Sequence, residues 1–382
     1  MTLPPIRLRI ALAIGIYEPD AGGAAEWVRA YALWLQGCGH EVCIVCERSA
    51  VAIPQPIPLF TLPQAQYTKN SLQRAVALQN LVASRPCDVV HDTGCLLHAD
   101  VFHPLMGSLI HNWICQLKSY PLTLRLRRLF QIRLWRDVRL QLHQQRKAQI
   151  LVACSRRVSV DFARLGRRES SIVLNGIPLT PSLPAEVIQA LRRRLSIGER
   201  LLVIVTATNF YLKGVMKVLQ AVVHLSAAER SKFLVVVTGE AKSPVFQSYI
   251  DRHQIGEHCR LVGWVEQIDA YYQAADIFLH PTYHDAGSLS TLKALAAGRA
   301  VVTSRFDGSA DWVTDGVNGL ILHQPGNAIE IVEKLRSLLG NDFRKRLGAA
   351  ASQLAPRLNQ EHQFKKIEQL YGSVKTGLRP MP

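Results

Sequence analysis

The order in which apolar runs and helical patterns alternate restricts this chain more than any other feature. Leu8 to Ile14, Val42 to Cys46, Asp88 to His91 and Ile150 to Ala153 read as strands, with a fifth at Ile172 to Leu174. Helical patterns fill the gaps at Ala24 to Gln36, Lys69 to Ser84, Leu124 to Gln149 and Arg157 to Leu165. Apolar strands alternating with helices predict parallel sheets covered on both faces. Pro178, Pro181 and Pro184 then interrupt the pattern and mark a linker. The programme restarts with Leu201 to Val205, Leu234 to Val237, Arg260 to Val262, Ile277 to His280 and Ala300 to Thr303. A chain of 382 residues suits two such cores better than one. The expected architecture is therefore α/β: two doubly wound parallel-sheet, Rossmann-like domains facing across a cleft, residues 1–180 and 181–359, with a helical tail at 360–378 that can pack back on the first domain.

Hydrophobic residues make up 48% and the mean hydropathy is +0.07, enough to fill two cores. No apolar run approaches the roughly 20 residues needed to span a bilayer. The segment Met1 to Arg7 passes into a short apolar run with Glu18 and Asp20 close behind, which reads as a first strand and not an export signal. A cytoplasmic protein, soluble or peripheral on the inner face of the membrane, is the expectation. The eight cysteines are scattered, and Cys43 and Cys46 point to opposite faces of one strand, so neither disulfides nor a shared metal is expected.

Formal net charge is +16, which calls for a polyanionic partner; nucleic acid, anionic lipid and phosphorylated glycan all fit at this level. Arg125, Arg127, Arg128, Arg133, Arg136, Arg139, Arg146 and Lys147 crowd a stretch that also holds Leu124, Leu126, Leu129, Phe130, Ile132, Leu134 and Trp135. A basic amphipathic helix of this kind has two readings, a solvated helix packed on its own domain or a helix lying on an anionic membrane surface. No RNA or DNA motif appears and the stretch is read as lacking interleaved exposed aromatics, so nucleic acid is not an expected partner.

Three loops can carry chemistry. The first strand ends at Gly15 and leads through Asp20, Ala21, Gly22 and Gly23 into a helix, whose start offers free N–H groups to a phosphate or, equally, forms a plain tight turn. Asn209-Phe210-Tyr211-Leu212-Lys213-Gly214 repeats that placement in the second half, and Lys213 beside Gly214 at a helix entry can neutralise a diphosphate. In His280 to Gly298 a strand ends in proline, Asp285, Gly287 and Ser288 follow, and an Ala/Leu-rich helix starts at once. This forms a second cradle, with backbone N–H groups for phosphate and a carboxylate for sugar hydroxyls. The chain has no Asp-x-Asp, no His-Glu-x-x-His and no cysteine–histidine cluster of ligand spacing, so no metal is expected.

Taken together, Gly22-Gly23, Val173 to Ile177, Lys213-Gly214, Ala274 to Pro281, Ala294 to Gly298, Arg305 to Gly308 and Thr314 to Gly319 resemble the family-4 retaining glycosyltransferases of the GT-B fold, nearest to the branch of lipopolysaccharide-core glucosyltransferases. That resemblance implies a hexose moved from a nucleotide diphosphate sugar, UDP- or GDP-linked, to a cell-envelope glycan or glycolipid, with no other cofactor. It implies donor contacts from Gly22, Gly23, Asn209, Gly214, Gly287, Ser288 and Leu289 and catalytic roles for Lys213 and Asp285. His91 and Asp92, which end a strand at the expected cleft face, are alternative acceptor contacts to His103. His103, in Val101 to Pro104, is a candidate proton relay or a structural histidine. The family's E-x7-E pair falls on Asp285 and Lys293, so a lysine stands where a glutamate is implied to hold ribose hydroxyls. Losing such a charge-assisted bond costs about 1.5 to 3 kcal/mol. A catalytically weakened paralogue with a binding or regulatory role is the alternative.

Overall fold

The computed structural model describes residues 7–18, 23–49, 56–166, 168–239 and 243–376. From the amino end, β1 (Arg9–Tyr17) leads to helix α1 (Gly23–Gly37), β2 (Glu41–Ser49), β3 (Leu59–Thr61), α2 (Ser71–Ala83), β4 (Val89–Asp92) and β5 (Val101–Phe102). Three helices follow in succession, α3 (Leu109–Ser119), α4 (Leu122–Leu129) and α5 (Ile132–Lys147), and then β6 (Ile150–Ala153), α6 (Arg156–Gly166) and β7 (Ser171–Ile172). The second half runs α7 (Ala185–Arg194), β8 (Leu201–Ala207), α8 (Val215–His224), α9 (Ala227–Arg230), β9 (Phe233–Gly239), α10 (Pro244–Arg252) and β10 (Cys259–Gly263). It continues with α11 (Ile268–Ala274), β11 (Ile277–His280), α12 (Leu289–Ala296), β12 (Ala300–Ser304), β13 (Leu320–Leu322), α13 (Ala328–Ser337), α14 (Asn341–Ser352) and α15 (Gln360–Thr376).

The chain divides into two compact units. The first holds the described residues of 1–111, 129–174 and 361–382; the second holds 112–128 and 175–360. The crossing at 174–175 precedes the prolines that mark the linker in the sequence. Residues 112–128 group with the second unit although they lie inside the expected first domain, because Tyr120 seats against Tyr211 there, ring centroids 5.4 Å apart. The single helix expected over Leu124 to Gln149 is two helices, interrupted where Gln131 leaves helical geometry at ψ 88°.

The first unit is built on a seven-stranded sheet of order β3-β2-β1-β4-β5-β6-β7, every pairing parallel. β1 is a run of apolar residues buried from Ile10 to Ala13 because helices cover both faces of a parallel sheet. On α1 the buried positions Trp27, Val28, Tyr31, Ala32 and Leu35 follow helical spacing and face this core. The tail helix α15 belongs to the same unit and inserts Phe364, Ile367 and Tyr371; Gly377 and Leu378, at the end of the expected tail, lie outside the described residues. Trp27 donates its indole N–H to Gln363 at 3.1 Å, and the Tyr31 and Tyr371 hydroxyls are 2.9 Å apart.

The second unit has a six-stranded parallel sheet, β10-β9-β8-β11-β12-β13. Alternate residues of its central strands fill two cores. Val203, Val205, Val235 and Val237 meet α8 and α13 on one face, while Leu202, Ile204, Leu234 and Val236 meet α11 and α12 on the other. Each such side chain contributes about 1.5 to 3 kcal/mol by burial. Among the described residues no helix is long and apolar enough to cross a membrane.

Candidate functional site

Strand order in the second sheet reverses between β8 and β11, and at such switch points the loops leaving neighbouring strands diverge and leave room for a ligand. Two of the loops singled out in the sequence emerge there. In the turn after β8, Asn209 Oδ1 accepts the Leu212 N–H at 3.0 Å and the Asn209 carbonyl accepts the Lys213 N–H at 2.9 Å. Gly214 caps α8 at φ +71°, and a Cβ added there would collide with the Pro281 carbonyl. Only glycine permits both that conformation and that approach. The Tyr283 N–H donates to the Leu212 carbonyl at 2.9 Å, so the two loops are stitched together through backbone.

At their meeting point the Lys213 ammonium pairs with the Asp285 carboxylate, and His280 Nε2 lies 3.3 Å from the same carboxylate oxygen. The lysine and aspartate side chains are 15% and 18% exposed, so solvent screens them little. Burial pushes the Asp285 carboxyl upward, but the Lys213 charge and the His280 contact outweigh it and hold the group well below the usual carboxylate range. Gly287 N–H lies 3.3 Å from the other Asp285 oxygen. Asn175 Nδ2 fixes the Gly287 carbonyl at 2.9 Å, and Ser288 caps α12 by accepting the Thr291 N–H. The helix begins at Leu289, where first-turn N–H groups have no intrahelical acceptor.

Behind this pair sits Asp307, buried. One of its oxygens accepts the N–H groups of Ser288 and Ser309 at 3.2 and 2.9 Å; the other accepts the hydroxyls of Thr291 and Thr303 at 2.7 and 2.8 Å. Burial raises its pKa, partly offset by His280. His280, Asp285 and Asp307 bring potential ligand atoms within 4.8 Å of one another, a spacing a metal can bridge. In this arrangement the Lys213 ammonium already supplies the cation for Asp285, and the four lone-pair sites of Asp307 are taken by protein donors.

Lys293, on α12, reaches Asp269 Oδ1 at 3.0 Å, and the other Asp269 oxygen accepts the Thr180 hydroxyl at 3.1 Å. The charge that replaces the implied glutamate is thus answered by a carboxylate on the first turn of α11. Asn209, Lys213, Gly214, Asp285, Gly287, Ser288 and Leu289 all belong to the two loops at the switch point. A lysine, a helix start and a carboxylate so placed can hold a pyrophosphate and a polyol, Lys213 exchanging Asp285 for phosphate oxygens.

The remaining candidates belong to the first unit. Gly22 lies outside the described residues, and Gly23 opens α1. Asp92 is fully buried; it accepts the N–H groups of Gly94, Cys95 and Leu96 at 3.0, 2.8 and 3.2 Å and so fixes the loop after β4. His91 Nδ1 is 2.7 Å from the Tyr371 hydroxyl, and burial drives its pKa well below the usual value. His103 is buried too, with Trp27 edge-on at 5.2 Å, and burial lowers its pKa to about 3, so its ring is neutral at physiological pH.

Four residues at or beside the second-unit site had no role assigned from sequence. His280 and Asp307 each stand at or just beyond the carboxyl end of a strand, a position that could have flagged them. Asp269 had only its place in a first helical turn as a signal. Tyr120 Oη accepts from Asn209 Nδ2 at 2.7 Å across 89 residues of sequence, which no local pattern announces.

Residues 187–354 match the family described as glycosyl transferases group 1. The chain is similar to the lipopolysaccharide glucosyltransferase WaaG of Escherichia coli, 26% identical over 138 residues, 36% of this chain and 37% of that protein. Among solved structures, it resembles WaaG, a glycosyltransferase involved in lipopolysaccharide biosynthesis, with a TM-score of 0.79 at 19% identity over 95% of this chain and 99% of that one. It also resembles Anabaena HepE in complex with UDP and glucose, with a TM-score of 0.73 at 16% identity over 96% and 100% of the two chains.

Proposed function

We propose, for a chain of GT-B fold whose residues 187–354 form a glycosyl transferases group 1 domain, that it moves a hexose from a UDP- or GDP-linked sugar to a cell-envelope glycan or glycolipid with retention of anomeric configuration. The observation that carries this reading is the Lys213–Asp285 pair at the β8/β11 switch point, inside the matched domain. On arrival of the donor, Lys213 and the first N–H groups of α12 take the diphosphate, whose charge grows as the glycosidic bond breaks. Asp285, kept ionised, then holds sugar hydroxyls and does not act as nucleophile. With Lys213 neutralising the leaving group, the reaction has no requirement for a metal or further cofactor. Asn209, Gly214, Gly287, Ser288 and Leu289 complete the donor contacts of the second unit, and Lys293, held by Asp269, stands at the nucleoside end.

The acceptor side is assigned to the first unit, where His91, Asp92 and His103 are buried and act by positioning the loops after β4 and β5, not by touching the acceptor. An acceptor in the cell envelope fits a protein that works at the cytoplasmic face of an anionic membrane, and the basic segment Arg125 to Arg139 is the contact with that surface. Similarity to WaaG supports the envelope acceptor, and the UDP and glucose held by HepE support the donor. Lysine at 293 favours one second reading, a weakened paralogue with a binding role. A thermal-shift panel of UDP- and GDP-sugars, followed by hydrolysis and transfer assays, tests both. Stabilisation by one donor together with turnover supports the enzyme, since a ligand bound only to the folded form raises apparent stability. No turnover by the native chain, with turnover restored in Lys293→Glu, establishes the weakened paralogue, and no stabilisation by any donor overturns both.

A further inference from the structure

We infer that a cavity at the amino ends of β4, β5 and β6 binds a small phosphorylated, hydroxyl-bearing metabolite. This site is separate from the donor site and does not depend on the function proposed above.

The position of the cavity follows from the parallel sheet. Cys87, Asp100 and Gln149 stand just before β4, β5 and β6, and with the ends of α2 and α5 they enclose about 370 Å³. Pockets for small molecules begin at about 300 Å³. Because the three strands run in one direction, this edge of the first unit is opposite the one from which the loops carrying Asp92 and His103 leave.

The chemistry of the lining selects the ligand. Arg85 and Lys147 both line the cavity, and neither has a carboxylate partner among the described residues. Both stand at the ends of helices, whose negative poles favour cations. That alone does not explain how Arg85 is held. Its guanidinium lies 3.5 Å from the centre of the Phe60 ring, and its Nε is buried with no hydrogen-bond partner among the described residues. A guanidinium already fixed against a ring gives up little rotamer freedom when it takes an anion. The acid of the lining, Asp100, spends Oδ2 on the Val90 N–H at 2.8 Å. Gln79 spends Oε1 on the N–H groups of Leu97 and His98, both at 3.1 Å, which leaves its amide nitrogen to donate. Donors therefore exceed acceptors and the charge is positive, a lining that fits an oxygen-rich anion. A phosphate monoester takes Arg85, Lys147 and the Gln79 amide. The second Asp100 oxygen and the His98 ring then meet hydroxyls on the group that carries the phosphate.

The test reads binding to the full chain by calorimetry and by the rate at which N-ethylmaleimide alkylates Cys87, followed by peptide mass spectrometry with the exposed Cys38 as internal control. Glucose 6-phosphate is the probe. It should bind with a Kd of about 1 mM or tighter, and at saturation slow the Cys87 reaction at least about fivefold while Cys38 reacts as before. Inorganic phosphate should compete with it, and glucose should do nothing. Saturating UDP and the Lys213→Ala substitution should leave both readings unchanged, which separates this cavity from the donor site. Lys147→Gln, at an exposed position, should weaken binding at least about tenfold without changing the melting temperature. Arg85→Gln should weaken it as much, and Lys147→Gln carries the test if loss of the Phe60 contact unfolds that variant. No heat of binding to the native chain, undiminished binding by Lys147→Gln, or binding abolished by UDP or by Lys213→Ala would each overturn the proposal. None of these outcomes bears on the donor reading, which the affinity for UDP tests by itself.

Discussion

The Lys213–Asp285 pair keeps a positive and a negative group ready without leaving either one buried alone. Removing the ammonium takes away a donor to the developing diphosphate charge and also leaves Asp285 without its principal counter-ion. Lys213→Ala should therefore lower kcat about 100- to 1000-fold, with Lys213→Arg recovering part of it, in a donor-hydrolysis assay. His103 makes a different prediction. In the folded chain burial lowers its pKa to about 3, whereas in the unfolded chain it titrates near 6.5. The unfolded state therefore takes up a proton first as pH falls, so the stability contributed by the neutral ring is complete above pH 6.5 and declines between there and about pH 3. At pH 5 the loss amounts to roughly 2 kcal/mol. A His103→Gln variant should show a shallower fall in melting temperature from pH 7 to pH 5 than the native chain, and an equal slope would refute the assignment.

Among the elements, the tail helix α15 is held mainly by what it inserts into the first unit. Phe364→Ala should cost about 3 to 5 kcal/mol and Tyr371→Phe, which breaks contacts to both Tyr31 and His91, about 1 kcal/mol, as read from denaturant unfolding. Long apolar strands such as β1, β8 and β9 were legible in the sequence because burial on both faces writes them as unbroken runs. The two-residue strands β5 and β7 and the three-residue β3 and β13 were missed or misplaced, since so few residues carry no periodicity. The break between α4 and α5 was illegible for a related reason: Phe130 and Gln131 include neither glycine nor proline, so no local signal marks the interruption. Lys213, Gly214 and Asp285 could be found because each follows a strand. Their mutual pairing could not, because it joins positions 72 residues apart.

At the scale of the whole molecule, the formal charge of +16 sets the ionic behaviour. Association with phosphatidylglycerol vesicles should weaken markedly as salt rises from about 50 to 300 mM, because the Debye length falls to well under 10 Å over that range. A sedimentation assay that shows salt-independent binding would mean that the leucines of α4 act without the arginines. The placement of α15 has a further consequence for how the polypeptide is made. A first unit that needs Phe364, Ile367 and Tyr371 stays incomplete on the ribosome long after residue 174 has emerged. At about 5 to 20 residues per second that delay is on the order of 10 to 40 s. During this interval the buried faces of Trp27, Tyr31 and His91 stand uncovered, so a segment translated late closes a core whose other parts were made much earlier.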